Sequence, residues 1–322
     1  MSRSYLFLPA GKIAGFSCPV IRASRYILIY KVDRLGIDLK MPANPSPNSA
    51  AAVQELMGGK FGEMSTLMNY TMQSFNFRGR NKVRPFYDLI ASIAGEEYGH
   101  IELVSYTINA LLTGTTSRSD DNTATRLENG RDARNTYHFI ATGQTAVVGD
   151  SMGNPWTGAN VFSSGNLQLD LLHNFFLECG ARANKLRVYD MVDDPVAKRT
   201  VGYLLVRGGL HVVAYAKAIE KLSNVPITKL LPIPKIENEK YPEAKEFMDM
   251  GLHRTLYTYS QDDFQEVAKI WTGHHPDDGS ELIVEKGMPE GFPAPDFEDE
   301  PQLGAPEIDP DMLADLAKKM FS

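Results

Sequence analysis

The sequence predicts a mainly α protein: a four-helix bundle with one long crossover connection and an extended C-terminal arm. Four segments repeat apolar residues at intervals of three and four, over lengths well beyond the globular average. The connections inside the first pair and inside the second pair are short, which makes the members of each pair antiparallel neighbours. The connection between the pairs, about 113–166, is long and rich in Gly, Ser, Thr and Asn. A crossover of that length lets the second pair return alongside the first.

Taken in order, the first helix is expected over 47–77, where Val53, Leu56, Met57, Phe61, Met64, Leu67, Met68 and Phe75 form the apolar stripe. The second is expected over 83–112, with Pro85 suited to a first turn. The third covers 167–189. A short turn over 190–195 leads into the fourth, over 196–222, which ends near Asn224 and Pro226. Inside the crossover a short helix is expected around 133–149. Beyond the bundle, 229–235 reads as an extended apolar segment, and short helices are expected at 244–252 and 261–270. The stretch 289–311 is rich in proline and acid and has no basic residue, so it cannot bury enough to fold alone. Met312, Leu313, Leu316 and Met320 then mark a short amphipathic helix over 311–321. This favours an arm laid across a neighbouring subunit over a disordered tail.

Three regions follow: a basic extension over 1–32, a bundle domain over 33–271, and a Pro- and acid-rich arm over 272–322. The extension carries Arg3, Lys12, Arg22, Arg25 and Lys31 and no acid before Asp33. Its apolar runs are broken by Pro9, Gly11, Gly15 and Pro19, so it reads as disordered or dispensable rather than as an export signal. The net charge of −7 argues against nonspecific nucleic-acid binding. No run of 18 apolar residues exists to cross a membrane. Cys18 and Cys179 cannot form a disulfide framework, which places the chain in a reducing compartment and makes the cytoplasm the expected location. Cys179 reads as a small buried hydrophobe.

The chemistry lies in the helices. Glu97 and His100 stand three residues apart, so on a helix they project from one face. Glu63, Glu178 and His211 occupy apolar stretches of the other three helices. An unpaired buried carboxylate is costly, and each residue taken singly reads as a paired core polar group. Four helices each offering one are most simply explained by a shared pair of divalent cations. A dinuclear carboxylate bundle uses a Glu from each of two helices and Glu-x-x-His from each of the others. This chain departs once, because Gly208 stands where the fourth carboxylate belongs. Three glutamates and two imidazoles make a less anionic site than the four-carboxylate iron centres, and such a site can hold manganese.

The runs 56–70 (LMGGKFGEMSTLMNY), 93–102 (IAGEEYGHIE), 164–167 (SGNL), 170–178 (DLLHNFFLE) and 203–211 (YLLVRGGLH) resemble the manganese, non-haem catalases, which are ferritin-like. The resemblance covers about 32–271 and continues more loosely into the tail. It implies two manganese ions per subunit, hydrogen peroxide as substrate, and disproportionation to dioxygen and water. It also implies a homo-oligomer, a hexamer. The family's five ligands fall on Glu63, Glu97, His100, Glu178 and His211, with Glu97 bridging and Glu63 and Glu178 on one metal each. Some members carry Glu at the position of Gly208 and Arg at that of Leu177; this chain resembles instead the branch that keeps Lys at Lys185. Lys185 and Tyr70 are therefore the candidates for moving protons and supporting the ligands. Some members also bind calcium through an Asp at the position of Asp88. Thr258 and Ser260 stand near the remaining positions of that site, and Ser92, a poorer oxygen donor, weighs against it. The rival is another ferritin-like function: a di-iron oxidase or ferroxidase, or a structural shell protein. The absent second Glu-x-x-His argues against iron.

Overall fold

The structure, a computed structural model, describes residues 33–115, 130–227, 236–297 and 310–321. The basic extension, the middle of the crossover, the apolar segment at 229–235 and the most acidic part of the arm lie outside them.

Four bundle positions are filled by α1 (Pro47–Gly58) with α2 (Glu63–Phe75), by α3 (Arg84–Leu112), by α5 (Leu167–Met191) and by α6 (Pro195–Ser223). Local sequence explains their ends. Proline occupies the first turn of α1, α3 and α6, where its missing N–H costs nothing. The Asn166 side chain accepts the N–H groups of Gln168 and Leu169 at the start of α5, and Asp194 does the same for Val196 and Ala197 at the start of α6. Asn224, in the left-handed conformation at φ 57°, closes α6.

The single helix expected over 47–77 is two. The chain leaves the helical region at Gly59 (ψ 166°), turns over Lys60 and Phe61, and is extended again at Gly62 (ψ 169°). At the break, a Cβ on Gly58 would lie 2.4 Å from the carbonyl oxygen of Gly149, so the crossover backbone rests directly on this glycine. The restart makes Glu63 the first residue of α2, where the helix dipole favours a carboxylate.

The crossover helix is shorter than expected, α4 (Tyr137–Ala141). Past the bundle come α7 (Pro242–Asp249) and a 3-10 turn at Gln265–Lys269, in place of the helix expected over 261–270. Two strand pairs were not foreseen. β1 (Arg34–Leu35) pairs antiparallel with β4 (Phe292–Pro293), and β2 (Thr255–Tyr257) pairs parallel with β3 (Ile283–Glu285). With Leu282 buried in the core, they hold residues beyond 271 against the bundle. The terminal helix α8 (Pro310–Met320) forms, and among the described residues nothing covers Met312, Leu313, Leu316 and Met320, which are all exposed.

The core is divided. One apolar cluster joins Val53 and Leu56 of α1 to Leu103, Ile108 and Leu111 of α3, Val188 of α5, and Val201, Leu204 and Leu205 of α6. The other joins Tyr70 of α2 to Leu89 and Ile93 of α3, Leu171 and Phe175 of α5, and Leu210, Tyr215 and Ile219 of α6. Along every bundle helix the sequence passes from one cluster to the other through a short polar interval. Those intervals meet in one buried layer.

Outside the bundle, the 273–282 loop is stapled by Asp278. Its carboxylate accepts the Ser280 N–H and hydroxyl, and lies 2.8 Å from His253 Nε2. Burial acts against the charge, but the Ser280 groups and His253 outweigh it and hold the carboxyl at about 2 rather than 3.8. A depressed carboxyl contributes stability above its unfolded value and loses it as pH falls through the folded one. Asp278→Asn is therefore expected to cost about 1 kcal/mol at neutral pH, a figure discounted for solvent screening. The difference from the parent should close between about pH 4 and pH 2, as read by thermal unfolding of both across that range.

Candidate metal centre

Two groups of donors fill the polar layer: Glu63, Glu97 and His100, and Glu97, Glu178 and His211. Within each group the ligand atoms lie within 4.8 Å of one another, and every member is buried. Glu97 belongs to both. Its Oε2 is 3.1 Å from His100 Nδ1, and its Oε1 is 2.9 Å from His211 Nδ1. Thr66, one turn into α2, donates its hydroxyl to Glu97 Oε2 at 2.9 Å. His100 Nδ1 is also 3.4 Å from Glu63 Oε2, and His211 Nδ1 is 3.2 Å from Glu178 Oε1. The two imidazoles stack with centroids 5.8 Å apart.

Lys185 is not a solvated charge. Its buried Nζ lies 2.9 Å from Glu63 Oε1. Burial pushes the Glu63 carboxyl up, but the Lys185 ammonium and His100 prevail and hold it at about 2. Burial disfavours the ammonium too, yet Glu63, Glu178 and Glu97 keep it above its usual range. Tyr70 donates its hydroxyl to Glu178 Oε1 at 2.7 Å, and its ring packs on Tyr215. Burial and the Glu178 charge hold it as a phenol. The place of a fourth carboxylate at Gly208 is already closed in: a Cβ there would stand 3.3 Å from both Arg182 Cγ and Lys185 Nζ and 3.7 Å from Glu178 Oε2. Leu177 is buried in the apolar core.

Sequence reasoning passed over Glu96 and Arg207. Both are buried, and the guanidinium binds both oxygens of Glu96, through Nε to Oε1 and through Nη2 to Oε2 at 2.9 Å. Burial opposes the Glu96 charge, but Arg207 and then His211 hold the carboxyl well below the usual range. The signals were present as Glu96 four residues before His100 and Arg207 four before His211, the latter an arginine inside an apolar run.

Asp88 and Ser260 are placed differently. Asp88 pairs with Arg84 at 2.5 Å and accepts the Glu266 N–H, while the Ser260 hydroxyl accepts the Asp263 N–H. Among the described residues Asp88 belongs to no group of three His, Cys, Asp or Glu donors close enough to share a metal.

The donor set fits a metal. The four carboxylates Glu63, Glu96, Glu97 and Glu178 contact two permanent cations, Lys185 and Arg207, among the described residues. Both Glu63 oxygens and Glu178 Oε2 are buried without a well-formed hydrogen bond. Uncompensated buried charge is costly, and divalent cations relieve it. Carboxylate oxygens with imidazole nitrogens suit manganese.

Residues 29–321 match the sequence profile described as manganese containing catalase. The chain belongs to the manganese-containing catalase family. Family membership implies manganese as the metal and hydrogen peroxide as the substrate of a catalase. The manganese catalase of Bacillus subtilis is 34% identical over 183 residues, 56% of this chain and 66% of that protein. An uncharacterized protein of Bacillus subtilis strain 168, YjqC, is 32% identical over 198 residues, 61% of this chain and 70% of that one. The crystal structure of KatB, a manganese catalase from Anabaena, superposes with a TM-score of 0.52 at 22% identity, covering 79% of this chain and 98% of KatB. That likeness concerns the fold, the ferritin-like bundle of manganese catalases.

Proposed function

We propose that this manganese catalase disproportionates hydrogen peroxide at a dimanganese centre held by Glu63, Glu97, His100, Glu178 and His211. The observation that carries the reading is the pair of buried donor groups sharing Glu97. Each group offers two carboxylates and one imidazole, so the two groups would hold two metals through matched donors, with Glu97 common to both. Bound there, manganese supplies the electron storage that lets one peroxide be oxidised and another reduced.

The chain's part is to hold protons and exclude bulk water. Protons released as one peroxide is oxidised must be kept until another is reduced. Lys185, an ammonium beside Glu63, is the group suited to give and retake them. Tyr70 donates its hydroxyl to Glu178 Oε1, so it orients that carboxylate. The apolar clusters above and below the polar layer keep it dry, which strengthens every charge interaction inside it. Tyr70→Phe is expected to keep its manganese and lose roughly tenfold in turnover, since Glu178 loses its outer partner. Metal content and oxygen evolution measured together check this. The exposed apolar face of α8 supports a homo-oligomer, the family's hexamer, in which the arm covers a neighbouring copy. A single-chain molar mass in solution would remove that part of the reading.

The deciding experiment is elemental analysis of protein produced with manganese, paired with oxygen evolution on adding peroxide. Two manganese ions per chain with rapid oxygen release support the proposal. Iron in their place, or bound metal without oxygen, would move the assignment to an oxidase or to a structural bundle.

A further inference from the structure

A ligating histidine has a second nitrogen to satisfy, and in this site both histidines turn that nitrogen toward the same carboxylate. His211 Nε2 lies 3.2 Å from Glu96 Oε2, and His100 Nε2 lies 3.6 Å from Glu96 Oε1. Both nitrogens are buried, and neither has a well-formed hydrogen bond among the described residues. A neutral imidazole that ligates through Nδ1 carries its proton on Nε2 and needs an acceptor there. Glu96 offers one oxygen to each.

Glu96 is held in turn. Arg207 grips both its oxygens and extends Nη1 to the carbonyl oxygens of Thr255, at 2.8 Å, and of Leu252. The Tyr257 ring lies beside the guanidinium, 5.5 Å from centroid to Cζ. The chain of contacts therefore runs from each imidazole through one carboxylate and one guanidinium to the backbone of the segment between α7 and β2. A buried ion pair serving packing alone could be replaced by apolar side chains without loss. Here the carboxylate has two further nitrogens to serve.

We propose that Glu96 and Arg207 form a positioning clamp. It presents Nδ1 of both histidines to the metals at once, so that manganese retention in the two halves of the site depends on the 252–255 segment. The proposal rests on the dimanganese reading of the cluster. Glu96 touches no substrate and acts through His100 and His211.

The test compares the wild-type protein with Glu96→Gln and with the double variant Glu96→Leu, Arg207→Met. The double variant keeps the volume and removes both charges, in case a lone Arg207 prevents folding. Each protein is loaded with manganese and measured for metal per chain, release to EDTA, the manganese EPR spectrum, and the thermal midpoint without metal. The clamp predicts roughly 10- to 100-fold faster release and an altered spectrum in the variants. It also predicts that the double variant folds without metal, with a midpoint lowered by the lost bonds to the Leu252 and Thr255 carbonyls. Wild-type release and spectrum in a folded variant would overturn the clamp and leave the dimanganese reading standing. Wild-type protein that takes up no manganese would overturn the dimanganese reading itself, and the clamp with it.

Discussion

Glu97→Gln is expected to fold, to hold less than one manganese per chain, and to evolve oxygen on the order of a thousandfold more slowly or worse. Glu97 is the one residue common to both donor groups, with one oxygen directed to each histidine. An amide offers one acceptor and one donor in place of two acceptors, so it cannot serve two metals alike. Loss at Glu63 or Glu178 should be milder, because each belongs to a single group. Elemental analysis beside oxygen evolution for the three glutamine variants would rank them. Full metal and full turnover in Glu97→Gln would remove it from the shared position.

Lys185→Met should separate the metal-free protein from the loaded one. Without metal, Lys185 is the nearest permanent cation to Glu63, and removing one partner of a buried pair costs about 3 to 5 kcal/mol. With metal bound, Glu63 has a second source of positive charge, so the loss of stability should shrink. Turnover of the loaded variant should still fall, by roughly 100-fold, because a general acid is gone. The pH dependence gives an independent reading. In the parent, burial raises the Glu63 carboxyl but Lys185 brings it from 4.5 to about 2. That stability is present above pH 4.5 and is lost as pH falls toward 2. In Lys185→Met the burial contribution dominates, so the metal-free variant should lack this acid-labile component. Equal midpoint losses with and without manganese would mean that Lys185 supports the bundle rather than the site.

Some of this was legible in the sequence and some was not. The long helices were, because apolar spacing, first-turn prolines, Asn166 and Asp194 act locally. The break after Gly58 was not, because the apolar stripe continues through it and the Gly149 backbone that rests on Gly58 is distant in the chain. The strand pairs are two or three residues long, too short to show a period. Glu96 was hidden beside the stronger Glu97–His100 spacing, since nothing local distinguishes a carboxylate that grips an arginine from one offered to a metal.

The sequence by itself determined the helical bundle and the kinds of donors it carries. Both follow from periodicity within single helices and from the improbability of leaving Glu63, Glu97 and Glu178 buried without a cation. Only the tertiary structure decided how charge is shared among them. It brought Glu97 between both histidines, Lys185 against Glu63 across helices, and Arg207 against Glu96 with carbonyls from beyond the bundle. The physical reason is that the partner of a buried charge is chosen by proximity in space, and these partners come from helices far apart in the chain.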